Sequence, residues 1–298
     1  MGAIPTMAAI LKSPPMPQHE TPTEKSVSNR ATLVMALVAV LCIVIPFLFW
    51  RGTWFGRALS DEEISEYLAD QQEKPRHTQH ALVQISERIN RGEASVQQWY
   101  PRIVSLADHS LPELRLTVAW LMGQDADSEA FHEKLRELIQ DPNPMVRRNA
   151  ALSLSRFQDP SGRAELLAML QPYTVAADQA GVITNRLQEG DVVDRGTLLG
   201  RIEVEGLPEP VEIRSPLPGV VRKQLRQDGD TVRGGEDVTL LGADPGHAYE
   251  ALRALYLVGI RDDVETIRPF LLPNEDRPAQ VTEQARLTID RIQGKSGP

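Results

Sequence analysis

The sequence predicts a mainly α-helical chain with a β insertion and an N-terminal transmembrane helix. Three observations carry this reading. A run from Ala31 to Trp50, "ATLVMALVAVLCIVIPFLFW", contains no charge. A helical pattern recurs at an offset of 32 residues, from Pro112 and again from Pro144. A valine- and glycine-rich unit is written twice, from Gly181 and from Gly219, where the helical periodicity stops.

The elements follow in order. Residues 1–29 (ending in "SPPMPQHETPTEKSVSN") are rich in Pro, Ser, Thr and Glu. Such a composition buries too little apolar surface to offset the entropy of ordering, so a disordered leader is expected. A transmembrane helix is expected over 30–51, with contact to the lipid bilayer through residues 31–50. An apolar run of about twenty residues, at about 1.5 Å each, matches a hydrocarbon core of about 30 Å. Arg30 and Arg51 bracket it, Trp50 and Trp54 stand at interfacial positions, and Pro46 introduces a kink that membrane helices tolerate. The run is long for a signal peptide and no small-x-small cleavage site follows it. Lys12, Lys25 and Arg30 precede it, while Arg51 and Arg57 give way to the acidic "SDEEISEY". The positive-inside rule then favours a cell-membrane protein with its C-terminal part on the extracytoplasmic (periplasmic) side.

Helical repeats are expected over 60–171. Ser60 and Glu63 have capping-box spacing ahead of Ile64, Tyr67 and Leu68. Ala81, Leu82, Ile85 and Ile89 form a second stripe, and "EASVQQWYPRIVSLA" reads as a further helix or helix pair. In the repeat proper, Pro112 aligns with Pro144, Leu114 with Val146, Arg115 with Arg147, Val118 with Ala150 and Met122 with Leu154. Each copy precedes a second amphipathic stretch, "SEAFHEKLRELIQD" or "GRAELLAMLQ". The pattern resumes over 244–293 in "HAYEALRALYLVGIRDDVETIRPFLL" and "RPAQVTEQARLTIDRI". Asp262 and Asp263 suit a helix N-cap there.

Between these, 172–243 changes character. "EGD" at Glu189–Asp191 matches "DGD" at Asp228–Asp230, and short strands flank both turns. Glycine supplies the positive φ of such turns and Asp caps them locally. Two such copies suggest interlocked halves about a pseudo-twofold axis.

Two family resemblances follow from these residues. Asp141-Pro142, Val146, Arg147, Ala150, Leu154 and Asp159-Pro160 resemble a HEAT repeat. That implies an α-α superhelix, in which helix pairs stack because one pair cannot bury its apolar face alone. It also implies that an arginine such as Arg147 pairs with an acid of a neighbouring turn. Gly181, Gly190, Asp191, Val193 and Gly196, with Gly219, Gly229, Asp230, Val232 and Gly235, resemble the two halves of a biotinyl/lipoyl domain, or barrel-sandwich hybrid. "RSPLPGVV", Arg214 to Val221, resembles the strand that opens the second half. In carrier members a lysine stands on the hairpin between the halves. Here that hairpin is Glu205 to Glu212, with Gly206 or Pro208 at the modification position, and Lys223 lies in the second half's first strand. The resemblance therefore implies the structure without the swinging arm, and no cofactor.

Composition bounds the chemistry. The chain has 298 residues, with 41 Asp+Glu against 32 Lys+Arg, an acidic balance that disfavours nucleic acid as a partner. One cysteine, Cys42, leaves neither a disulfide nor a cysteine-rich metal site. His19, His77, His80, His109, His132 and His247 are scattered without metal-ligand spacing, so no metal site is expected. No nucleophile elbow, P-loop or dinucleotide fingerprint stands in the chain. No catalytic residue is expected, and the chain reads as a non-enzymatic, membrane-anchored scaffold for protein partners. Two further readings stay open: a periplasmic adaptor (membrane-fusion-like) subunit of a transport or efflux system, and a degenerate biotin/lipoyl carrier.

Overall fold

The computed structural model describes residues 29–52, 57–69, 74–272 and 277–294. The leader expected over 1–29 falls outside these residues except for Asn29, and so does Trp54. The side chains of Arg30, Trp50 and Arg51, invoked as flanks of the span, also fall outside them. The chain divides into two compact units, Met1–Arg57 and Ala58–Pro298.

The first unit contains α1, Asn29–Gly52. Among the described residues, no helix is long and apolar enough to cross a membrane. The transmembrane helix over 30–51, the bilayer contact through 31–50 and the periplasmic-side membrane localisation are corrected accordingly. A helix does form where the uncharged run predicts one. The fold class is thus mostly helical with a two-sheet antiparallel β region.

The second unit begins with α2, Asp61–Ala69. Its capping box is present: Ser60 N donates to Glu63 Oε2 at 2.9 Å, and Glu63 N donates to Ser60 Oγ at 3.2 Å. Helices α3 (Pro75–Asn90), α4 (Tyr100–Leu106), α5 (Pro112–Met122), α6 (Glu129–Leu138), α7 (Pro144–Arg156) and α8 (Arg163–Ala168) follow. After the strands come α9 (Pro245–Val258), α10 (Val264–Ile267) and α11 (Ala279–Gln293). Proline stands at the first helical position of α3, α5, α7 and α9, where its fixed φ suits the helix and its missing N–H costs nothing. Pro278 sits just before α11.

These helices form two layers. In one, α3 packs on α5, α5 on α7, α7 on α9 and α9 on α11. In the other, α4 touches α5 and α6, α8 touches α7 and α9, and α10 touches α11. The aligned positions Leu114, Val118, Met122, Val146, Ala150 and Leu154 are all fully buried. Helix α7 joins two stretches of core: Val146, Ala150 and Leu154 face α5 and α6, while Ala151 packs with Leu252 and Leu255 of α9. The helical stack is therefore continuous across the long insertion between α8 and α9.

That insertion holds β1 (Tyr173–Ala176), β2 (Gly181–Asn185), β3 (Val192–Val193), β4 (Leu198–Glu203), β5 (Val211–Arg214), β6 (Gly219–Gln224), β7 (Thr231–Val232) and β8 (Asp237–Ala243). They form two four-stranded sheets, ordered β1-β8-β6-β3 and β5-β4-β2-β7. The strand pairs are antiparallel. Exchanging β2 with β6, β3 with β7, β4 with β8 and β5 with β1 maps one sheet order onto the other. The halves interlock, because β3 pairs with β6 and β7 with β2. The matching turns agree in detail. Gly190 and Gly229 have φ of 96° and 88°, and their N–H groups donate to Val221 O and Ile183 O. Asp191 and Asp230 each accept the N–H three residues back, at 2.8 Å in both halves.

Candidate functional site

The repeat arginine has a structural task. Arg115 forks onto Asp141, with Nε and Nη2 donating at 2.7 and 2.9 Å, and its Nη1 donates to the carbonyls of His109 and Ser110. One repeat later, Arg147 Nη1 donates to the carbonyls of Asp141 and Pro142, each 32 residues on from the earlier pair. Its Nε donates to Glu165 rather than to an Asp. The acid that Arg147 would meet by repeat spacing is replaced by Tyr173, the first residue of the insertion.

The strongly perturbed carboxylates belong to such ties. Burial pushes Asp159 up, but its hydrogen bonds outweigh burial and hold it far below the usual carboxylate range. It accepts from Ser161 N, Ser161 Oγ, Arg136 Nε and His132 Nε2, at 2.6 to 2.8 Å. Burial likewise pushes Asp141 up, and the Arg115 fork and the Asn143 N–H bring it below its ordinary value. His132 and Asp159 have the look of a catalytic pair, but four donors already occupy that carboxylate.

Arg148 is different. Successive helical residues lie about 100° apart, so Arg148 leaves the loop that Arg147 holds and lines a groove of about 660 Å³. The groove runs over α5, α7, α9 and α11. On α7, Met145, Arg148, Asn149, Leu152 and Arg156 line it at helical spacing. Trp120, Tyr256, Leu257 and Leu287 line it from the other helices and are 38–51% exposed. Arg148 is only 6% exposed and makes no hydrogen bond among the described residues; its Nε is wholly buried. Its nearest acid is Glu165, 3.7 Å from Nε. Burial lowers the basicity of the guanidinium, with Glu165 opposing. His247 lines the same groove with a buried Nδ1 that lacks a partner. Burial pushes this imidazole below its ordinary value, Asp244 opposes the shift and Arg148 adds to it.

The residues singled out in the sequence are dispersed. Gly206 sits at the tip of the β4–β5 hairpin with φ of 85°, a left-handed backbone that disfavours a lysine. Lys223 is exposed in β6, away from that hairpin. Asp263 does not cap forward. It accepts from Ile260 N at 2.8 Å and pairs with Arg163 at 3.3 Å. Arg148 and its groove are missing from the sequence reading, which names only Arg147, as an arginine that pairs with a neighbouring acid. A signal existed, since Arg148 aligns with Leu116, an apolar position of the preceding repeat.

The comparisons with known proteins agree with the helical part. The family description HEAT repeats matches residues 100–180. Among curated proteins none matches the sequence. Fifteen chains of solved structures are similar to this one, two of them as follows. The product-bound ectoine utilization protein EutE (DoeB) from Ruegeria pomeroyi is 25% identical over 24% of this chain and 22% of its own length, with a TM-score of 0.21. The complex of CpcE and CpcF of phycocyanin lyase from Nostoc sp. PCC7120 is 17% identical over 81% of this chain and 68% of its own, with a TM-score of 0.42. Neither likeness carries an inference about what this chain does.

Proposed function

We propose that this chain is a non-enzymatic scaffold that binds a protein partner in the groove over α5, α7, α9 and α11. The observation that carries the reading is the groove itself: α5, α9 and α11 expose Trp120, Tyr256, Leu257 and Leu287 around the buried Arg148 of α7. Stacked helical repeats offer such extended faces to partners, and protein interfaces favour aromatic residues and arginine at their centres. On this reading the insertion is an unmodified lipoyl-like domain, a barrel-sandwich hybrid. The swapped sheet orders and the matched Gly-Asp turns support it, and the lysine-free hairpin argues against a carrier. The short link between the halves, Val204 to Pro210, has no room for the long α-hairpin of transport adaptors.

The test places a photo-crosslinking amino acid at Leu257 in the groove or at Val192, which is 79% exposed on β3. A discrete partner captured from Leu257 and not from Val192 supports the proposal. The same products from both positions, or none from Leu257, overturn it.

A further inference from the structure

We infer that the groove takes a short acidic segment of a partner protein, with a side-chain carboxylate seated on Arg148 and an apolar residue against Trp120 and Leu257. The inference rests on the proposed scaffold reading and specifies its ligand. A buried guanidinium without hydrogen bonds is costly, since desolvation penalises the charge and leaves donors unmade. Glu165 relieves that only in part, because it lies 3.7 Å from Arg148 Nε and accepts a hydrogen bond from Arg147 at 3.1 Å. A carboxylate arriving with a partner matches the fork of donors.

Charge points the same way. Arg148, Arg156 and Arg253 line the groove against one acid, Glu250, on a chain whose net charge is −9. Arg253 lies 3.4 Å from Glu250, so it is partly spent, and Arg156 donates to Gly123 O and Gln124 Oε1 at the other end. Arg148 is thus the central cation and the others form a basic rim. The exposed aromatic and aliphatic side chains beside it distinguish the groove from a site for a small inorganic anion, which would leave them in water.

Twelve-residue random peptides displayed on phage, selected on the full chain, supply the probe. The expected result is enrichment of peptides that share an Asp or Glu beside an apolar residue. Changing that acid to its amide in the best synthetic peptide then weakens binding about tenfold or more, as for other buried charge pairs. Arg148→Gln weakens the acidic peptide similarly and leaves the amide peptide nearly unchanged. Should Arg148→Gln fail to fold, Leu257→Asp on the exposed rim must still weaken the acidic peptide, by repulsion and lost apolar contact. Enrichment without a shared acid, no enrichment, or equal binding of the acid and amide peptides overturns the inference. So does concentration-dependent self-association that Arg148→Gln abolishes, because a second copy would then be the occupant. A partner crosslinked from Leu257 with no acid dependence would sink this inference and leave the scaffold reading standing. Acid-dependent peptide binding with no partner crosslinked from Leu257 would sink the scaffold reading instead.

Discussion

Asp159 and Asp141 fasten neighbouring turns of the helical stack, and both titrate below their ordinary range. The native state therefore binds fewer protons than the unfolded chain near the ordinary Asp value of about 3.9. Their contribution is complete above about pH 5 and is lost as pH falls through 3.9 toward the folded values. Asp159→Asn is expected to cost roughly 2–3 kcal/mol at pH 7, somewhat less than a fully buried pair because Arg136 is half exposed. Urea melts at pH 7, 5 and 3 check both statements: the deficit of the variant should shrink toward pH 3, and a constant deficit would refute the linkage. His247 acts at higher pH. Its depressed value means that protonation opposes folding, so its penalty grows as pH falls below about 6.5. His247→Gln should flatten the stability profile between about pH 7 and 5, measured by the same melts. At this scale the sequence was partly legible. The HEAT-like arginine announced a tie to a neighbouring acid, and Arg115 makes it with Asp141. Arg148 was not separable from Arg147, because adjacency in sequence hides the turn of about 100° that sends one to a loop and the other to a groove.

Helix-to-helix contacts repeat a hydrogen bond that no motif advertises. Ser153 Oγ donates to Ala119 O at 2.7 Å, between α7 and α5. Thr288 Oγ1 donates to Leu252 O at 2.9 Å, between α11 and α9. Both donors stand nine residues after the first helical position, and both acceptors stand seven after theirs. Between α9 and α7 the corresponding position is Ala254, which has no hydroxyl. Thr288→Val keeps the shape, so its expected cost is about 1 kcal/mol, the net worth of one hydrogen bond. Ser153→Ala should cost a similar amount, and thermal melts of the two variants check the equivalence. A much larger effect at one site would show that packing, not the hydroxyl, decides. The periodic apolar positions made these helices legible, and the turn glycines did the same for the strands. The pairing of β3 with β6 and of β7 with β2 was not legible in detail, since two-residue strands carry no periodicity. For α1 the absence of charge predicted a helix correctly, yet among the described residues no helix is long and apolar enough to cross a membrane.

The second unit is a stack of helices that continues on both sides of a β insertion. Its helical core, joined through α7, and its sheet core share no residue. The insertion also enters and leaves at one place, because Tyr173 of β1 is paired with Leu241 of β8. Closing the chain from Pro172 to Asp244 with a short Gly-Ser link therefore has little distance to cover, and the loop-closure entropy of so short a link is small. The excised chain should keep its helical circular dichroism and a cooperative melt. Some loss of stability is expected where Arg222, Gly242 and Ala243 now line a small cavity with α9 and the segment before α11. None of the groove residues lies within 173–243. Peptide binding by the excised chain should then match that of the full chain within about twofold. Weaker binding in a protein that still melts cooperatively would mean that the β insertion forms part of the recognition surface, and that the groove over α5, α7, α9 and α11 is only half of the site.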